Sequence, residues 1–314
     1  MTRRMFCRKV ELASKEAAEV EIPVPWGRIA EYVGITAAKW WGPKDKQPIL
    51  TFHGWQDNAG SFDHLAPLLN SPILAIDLPG HGFSSWLPTG ILYSEMIHVI
   101  LIYRIKEYFG WKDVRLLGHS WGCMFHFYYA SLYPDHTKFV ISIDALKYES
   151  RHVPEHSQAL ANGIPKLLAV ENQRTPPPSY SEADLMKRWI EATNNSIDEK
   201  ACKTLMIRGA RKLKNGSYVF SRDPILKLRF VYAGYTHDHL RQIANLIRNP
   251  YLVVKAEGLQ LIESDENFYD IANILKTTCS EFRLECLPGT HHLHMLQPKR
   301  VADVINSFLE KHNT

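Results

Sequence analysis

The chain has 314 residues, 45% of them hydrophobic and 22% charged, ordinary for a soluble globular protein and enough to bury a large core. Its net charge of +4 rests on Arg3, Arg4, Arg8 and Lys9; the remainder balances at 33 basic against 33 acidic residues, which argues against a nucleic-acid partner. No stretch approaches the roughly 18 apolar residues of a membrane span, and five scattered cysteines without a C-x-x-C pair point to free thiols in a reducing, cytoplasmic setting.

Residues 1–18 read as a basic tail, although the acid-free start Met1 to Lys9 also weakly resembles a mitochondrial presequence. Glu19–Val24 and Arg28–Val33 read as strands joined by a Pro25-Trp26-Gly27 turn, and Ala37–Trp41 extends the second or adds another. Pro48–Phe52 and Ile73–Ile76 are short buried strands, with a brief helix over Phe62–Leu69 between them. A helix over Tyr93–Phe109, a strand at Val114–Leu117, a helix over Cys123–Leu132 and a strand at Phe139–Ile143 follow. From Leu146 to about Asn249 the text turns polar and helical, broken by Pro176-Pro177-Pro178. That length reads as an inserted helical cap rather than a loop. The pattern resumes with a strand at Tyr251–Val254, a helix near Asn267–Thr278, a strand at Arg283–Leu287 and a final helix over Lys299–Leu309. Apolar strands alternating with helices imply an α/β fold: a mostly parallel sheet covered on both faces. The expected organisation is a core of residues 19–145 and 250–314, with a cap of residues 146–249 entering before the penultimate core strand.

Residues 116–122, Leu-Leu-Gly-His-Ser-Trp-Gly, contain Gly-x-Ser-x-Gly between an apolar strand and an apolar helix. Strand, tight turn and helix are the context that makes this motif a nucleophile elbow. Gly118 and Gly122 leave room for the sharp turn, and Ser120 at the helix N-terminus is the expected nucleophile. A serine needs a base. The loop Leu287-Pro-Gly-Thr-His-His-Leu-His-Met-Leu-Gln-Pro298 lies between the last strand and the last helix, at the same sheet edge, and offers His291, His292 and His294. Zinc ligation by this cluster would need Cys or carboxylate ligands at matching spacing, which the local sequence lacks, so no metal is expected. The oxyanion needs two backbone donors. Trp55, after His53-Gly54 at the end of a buried strand, and Trp121, after the serine, are the expected pair.

His53-Gly-Trp-Gln-Asp-Asn58, Asp77-Leu-Pro-Gly-His-Gly-Phe-Ser84, Gly118-His-Ser-Trp-Gly122 and Pro288-Gly-Thr-His291 occur in the order found in α/β-hydrolases, which the chain resembles over most of its length. Val24-Pro-Trp-Gly-Arg-Ile-Ala30, the His-Gly-Trp-x-Asp-Asn run and Gly-x-His-His-Leu-His-Met resemble the animal serine hydrolase-like proteins, a group that includes the insect kraken-like hydrolases. The resemblance implies a Ser–His–acid hydrolase with a cap and selects His291 as the base. In the superfamily the acid usually follows the strand after the cap, but here Leu259 stands where that Asp is expected. Asp144, ending the strand before the cap, is the preferred acid, a position some members use. Glu257, Glu263 and Asp265 are the alternatives.

Asp77 and Ser84 are read as loop ties, and Arg222-Asp223 as a structural ion pair. Trp86, Trp189 and Phe230 are read as pocket lining or core packing. The expected activity is hydrolysis of a small ester-like substrate without a cofactor. The alternative is a non-catalytic binding or interaction protein on the same scaffold, suggested by Leu259.

Overall fold

The structure, a computed structural model, describes residues 17–25, 34–173, 175–228, 234–257 and 264–312. In chain order come β1 (Ala18–Val24), β2 (Gly34–Trp41), β3 (Ile49–Phe52), β4 (Ile73–Ile76), α1 (Glu95–Phe109), β5 (Val114–His119), α2 (Trp121–Leu132) and β6 (Thr137–Ile143). The inserted stretch carries α3 (Val153–Glu171), α4 (Glu182–Ala192), α5 (Glu199–Gly209), the hairpin β7 (Ala210–Lys212) and β8 (Tyr218–Phe220), and α6 (His237–Ala244). The chain then returns through β9 (Tyr251–Glu257), α7 (Asp265–Thr278), β10 (Phe282–Pro288), α8 (Leu293–Leu296) and α9 (Pro298–His312).

Eight strands form one sheet in the order β1-β2-β4-β3-β5-β6-β9-β10. β2 is antiparallel to both β1 and β4, and the pairings from β4 through β10 are parallel. Leu50, Phe52, Leu116, Val140 and Val253 join one apolar cluster, while Ile49, Leu117, Ile141, Leu252 and Val254 join another on the opposite face. Burial on both faces explains why these strands read as unbroken apolar runs without polar alternation. Each such side chain contributes about 1.5–3 kcal/mol relative to exposure. Parallel order puts the carboxyl ends of β3, β5, β6 and β9, and of β10 beyond them, along one edge, where the loops carrying function gather.

Two local expectations change. The helix expected over Phe62–Leu69 is replaced by two 3-10 turns, Ala59–Phe62 and Ala66–Leu68. The Asn58 side chain accepts from the Gly60 amide and starts the first turn early, and Pro67 opens the second. The strand expected at Arg28–Val33, its turn at Trp26-Gly27 and most of the basic tail lie outside the described residues; the partner of β1 is Gly34–Trp41.

Within the inserted stretch, α4 and α5 build their own apolar cluster around Leu185, Trp189, Ala201 and Leu205, sealed by Met295 from the core. α6 differs: Leu240, Ile243 and Ala244 join the main core cluster beside the sheet. No helix among the described residues is long and apolar enough to cross a membrane.

Candidate active site

Ser120 sits between β5 and α2 with φ 52° and ψ −113°, a conformation that costs about 1–3 kcal/mol for a residue with a Cβ. Its amide donates to the Ile143 carbonyl (3.0 Å) and its carbonyl accepts from the Cys123 amide (3.0 Å), so both neighbours lock the turn. A Cβ on Gly118 would lie 2.6 Å from the Cys123 nitrogen, and one on Gly122 would collide with the Phe52 carbonyl oxygen. The motif's two glycines are therefore required by close packing of α2 against β5 and β3.

His291 reaches Ser120. Its Nε2 lies 2.8 Å from Ser120 Oγ and its Nδ1 lies 2.6 Å from Asp144 Oδ2. A carboxylate can only accept, so Nδ1 carries the proton and Nε2 is left to accept from the serine hydroxyl. Asp144 follows β6 with φ 52°. It is held by its amide to the Val254 carbonyl (2.8 Å) and by its Oδ1, which accepts from the Ala256 amide (2.8 Å). Two strands therefore aim this carboxylate at the imidazole. Of the other candidate acids, Glu257 ends β9 exposed to solvent, and Asp265 begins α7, exposed, 3.9 Å from Lys255 Nζ. Glu263 and Leu259 lie outside the described residues.

The two remaining histidines of the loop go elsewhere. His294 bonds Ser61 Oγ through Nε2 (2.9 Å), and burial holds its pKa well below the ordinary value. His292 Nε2 donates to Asp57 Oδ2 (3.1 Å), and its Nδ1 lies 2.6 Å from Ser196 Oγ. Ser196 also accepts Thr290 Oγ1 on its carbonyl (2.7 Å). One serine of the inserted stretch thus holds the loop on both sides of His291. From below, His119 Nε2 donates to the His291 carbonyl (2.9 Å).

Trp55 follows β3, Trp121 is the first residue of α2 directly after Ser120, and their rings meet edge to face at 4.8 Å. His53, fully buried, accepts the Leu78 amide on Nε2 (3.0 Å) and donates through Nδ1 to the Gly54 carbonyl (2.8 Å). It is a loop tie, kept neutral by burial.

Asp77 and Ser84 tie their loop as expected. Asp77 accepts the Ala59 amide (2.8 Å) and the Phe83 amide (2.9 Å), and Ser84 Oγ donates to the Asp77 carbonyl (2.6 Å). The cation on Asp77 has no local sequence signal: Arg208 of α5, buried, donates to Asp77 Oδ2 from Nε (2.9 Å) and Nη2 (2.7 Å), and to Glu19 from Nη1 (2.7 Å). The ion pair expected between Arg222 and Asp223 does not form. Asp223 accepts the Tyr93 hydroxyl (2.8 Å) and the Ile225 amide (3.0 Å), while the Arg222 guanidinium stacks on Phe220 at 3.9 Å. Trp86 lines a cavity of about 360 Å³ with Leu87, Val170, Pro224 and Ile225. Trp189 packs in the α4–α5 cluster against Phe220, and Phe230 lies outside the described residues.

The comparisons agree with this architecture. Residues 47–298 match the family model of the α/β hydrolase fold. A probable serine hydrolase of Drosophila melanogaster is 38% identical over 93% of this chain and 88% of its own length. Serine hydrolase-like protein 2 of Homo sapiens is 30% identical over 93% of this chain and 94% of its own. Among solved structures, a hypothetical protein of Pseudomonas aeruginosa PAO1 superposes with a TM-score of 0.80 at 28% identity, covering 93% of this chain and 99% of that one. The chain belongs to the α/β-hydrolase family and, within it, to the animal serine hydrolase-like group.

Proposed function

We propose that the protein hydrolyses carboxylic esters by acyl transfer through Ser120. The observation that carries this reading is the continuous hydrogen-bond chain from Ser120 Oγ to His291 (2.8 Å) and from His291 to Asp144 (2.6 Å). His291 Nε2 takes the hydroxyl proton as Ser120 Oγ attacks the ester carbonyl, and the Asp144 carboxylate stabilises the imidazolium so formed. The backbone amides of Trp55 and Trp121 receive the tetrahedral oxyanion. His291 then protonates the departing alcohol, and a water, deprotonated by the same imidazole, releases the acid. No cofactor enters these steps. The competing reading, a binding protein on this scaffold, drew on the missing Asp at 259; the bond between Asp144 and His291 supplies a carboxylate and favours the enzyme.

The helices α3 to α5 with the β7–β8 hairpin act as the cap that selects substrate, and α6 belongs with the core by its packing. Turnover of a nitrophenyl ester series by wild type and Ser120→Ala tests the reading. A loss of at least about a thousandfold in kcat/KM is expected. Retained turnover in Ser120→Ala would contradict it.

A further inference from the structure

Behind His291 lies a group of side chains that the hydrolytic steps do not use. Asp57, His119 and His292 are all buried, and each presents one ligand atom within 4.8 Å of the others. His292 Nε2 is 3.1 Å from Asp57 Oδ2, and His119 Nδ1 is 3.7 Å from the same oxygen. His119 must carry its proton on Nε2, because that nitrogen faces the His291 carbonyl at 2.9 Å. Its Nδ1 is then a bare lone pair, fully buried, with no hydrogen-bond partner. A lone pair therefore faces a carboxylate with no hydrogen between them. The space beside them is kept open by Gly54: a Cβ there would stand 2.9 Å from His119 Nδ1 and 3.2 Å from Asp57 Oδ2.

We propose that Asp57, His119 and His292 bind a divalent transition-metal ion of the zinc class, and that this ion inhibits the hydrolase. Bonds of about 2.0–2.1 Å from a tetrahedral ion set its ligand atoms about 3.4 Å apart. The two measured separations bracket that value. Two imidazoles and one carboxylate are the donor set zinc accepts. No proton need leave the site: His292 moves its hydrogen from Nε2 to Nδ1 and donates to Ser196 Oγ, which lies 2.6 Å away. The ion brings two positive charges against one carboxylate. The His119 and His292 rings lie 4.7 Å and 5.3 Å from the His291 ring, so the added charge opposes the imidazolium that forms during catalysis. The inhibitory half of the proposal rests on the hydrolase reading above; the binding half does not.

Binding is therefore measured on the full-length chain and on Ser120→Ala with zinc and with cobalt(II). One ion per chain, a four-coordinate cobalt absorption spectrum and an affinity lowered more than about 100-fold in Asp57→Asn are expected, a larger loss than outer-shell partners produce. Saturating zinc should lower wild-type ester turnover at least about tenfold, with recovery on chelation. Absence of stoichiometric binding, or affinity unchanged in Asp57→Asn, would overturn the site in favour of an adventitious surface ion or a buried water. Should Asp57→Asn fail to fold, X-ray absorption on the zinc-loaded wild type decides: nitrogen and oxygen ligands only support the site, and sulfur ligation overturns it. Binding without inhibition would overturn the inhibitory role alone. Binding in a protein whose ester turnover survives Ser120→Ala would leave the site standing while the hydrolase reading fell.

Discussion

Replacing Asp144 with Asn tests the acid through one proton. Asp144 Oδ1 accepts the Ala256 amide and Oδ2 accepts His291 Nδ1–H. In the variant the backbone donor at Ala256 retains the single carbonyl oxygen, so the amide NH2 turns toward His291. Two donors cannot face each other, and His291 moves its hydrogen from Nδ1 to Nε2. The nitrogen facing Ser120 Oγ at 2.8 Å then holds a proton and cannot accept another. The charge that stabilises the imidazolium is lost as well. The same inversion in serine proteases lowers kcat about 10⁴-fold, equivalent to about 5.4 kcal/mol of barrier. Steady-state hydrolysis of a nitrophenyl ester, with circular dichroism to verify folding, reads the effect. Glu257→Gln is the control: Glu257 is exposed at the end of β9, and its rate should stay within about twofold of wild type. A folded Asp144→Asn within about tenfold of wild type, or a Glu257→Gln equally impaired, would refute the assignment.

Arg208→Met strands the buried Asp77 carboxylate, which has the guanidinium at 2.7 Å, and should cost about 3–5 kcal/mol, read as a shift in urea midpoint. Ser196→Ala leaves His292 Nδ1 without its hydroxyl and frees the loop around His291. It should cost about 1–3 kcal/mol in urea unfolding and lower kcat more than it raises KM, with Ser196→Thr restoring both. His98 and His126 are buried, and burial lowers their pKa values from 6.5 to about 3. Below pH 6.5 the unfolded chain takes up protons these rings refuse, so stability is full above that pH and falls as pH drops toward 3. Each ring contributes a slope of about 1.4 kcal/mol per pH unit in that window. His126→Phe should flatten the dependence of urea midpoint on pH; an unchanged slope would show that His126 does not titrate with unfolding.

What the sequence disclosed follows from how local each signal is. The elbow was legible because β5, the turn and α2 are contiguous and the motif's residues are adjacent in sequence, although Gly122 is required by the Phe52 carbonyl of β3, far away in the chain. The buried strands were legible because two-sided burial leaves unbroken apolar runs. The acid was not settled by sequence, because Asp144 is 147 residues from His291 and its aim depends on β6 lying beside β9. Arg208 sits in an unremarked stretch of α5, 131 residues from Asp77, with nothing local to announce the pairing. Asp57 lies within the His53–Asn58 run, yet its partner His292 is 235 residues away, so no local spacing links this carboxylate to the histidine cluster. Ser196 carried no signal at all: it acts only because the inserted stretch folds back onto the His291 loop. The 3-10 turns over Ala59–Leu68 arise from the Asn58 cap and from Pro67, local chemistry that apolar spacing does not record.

The central claim is that Ser120 is a nucleophile activated by His291. The most direct measurement is labelling of the purified full-length protein with a fluorophosphonate, with the adduct located by peptide mass spectrometry. The account predicts a single adduct on Ser120, absent in Ser120→Ala and lost in folded His291→Ala. No adduct on folded wild-type protein, or an adduct on Ser120 that persists at full rate in His291→Ala, would contradict it.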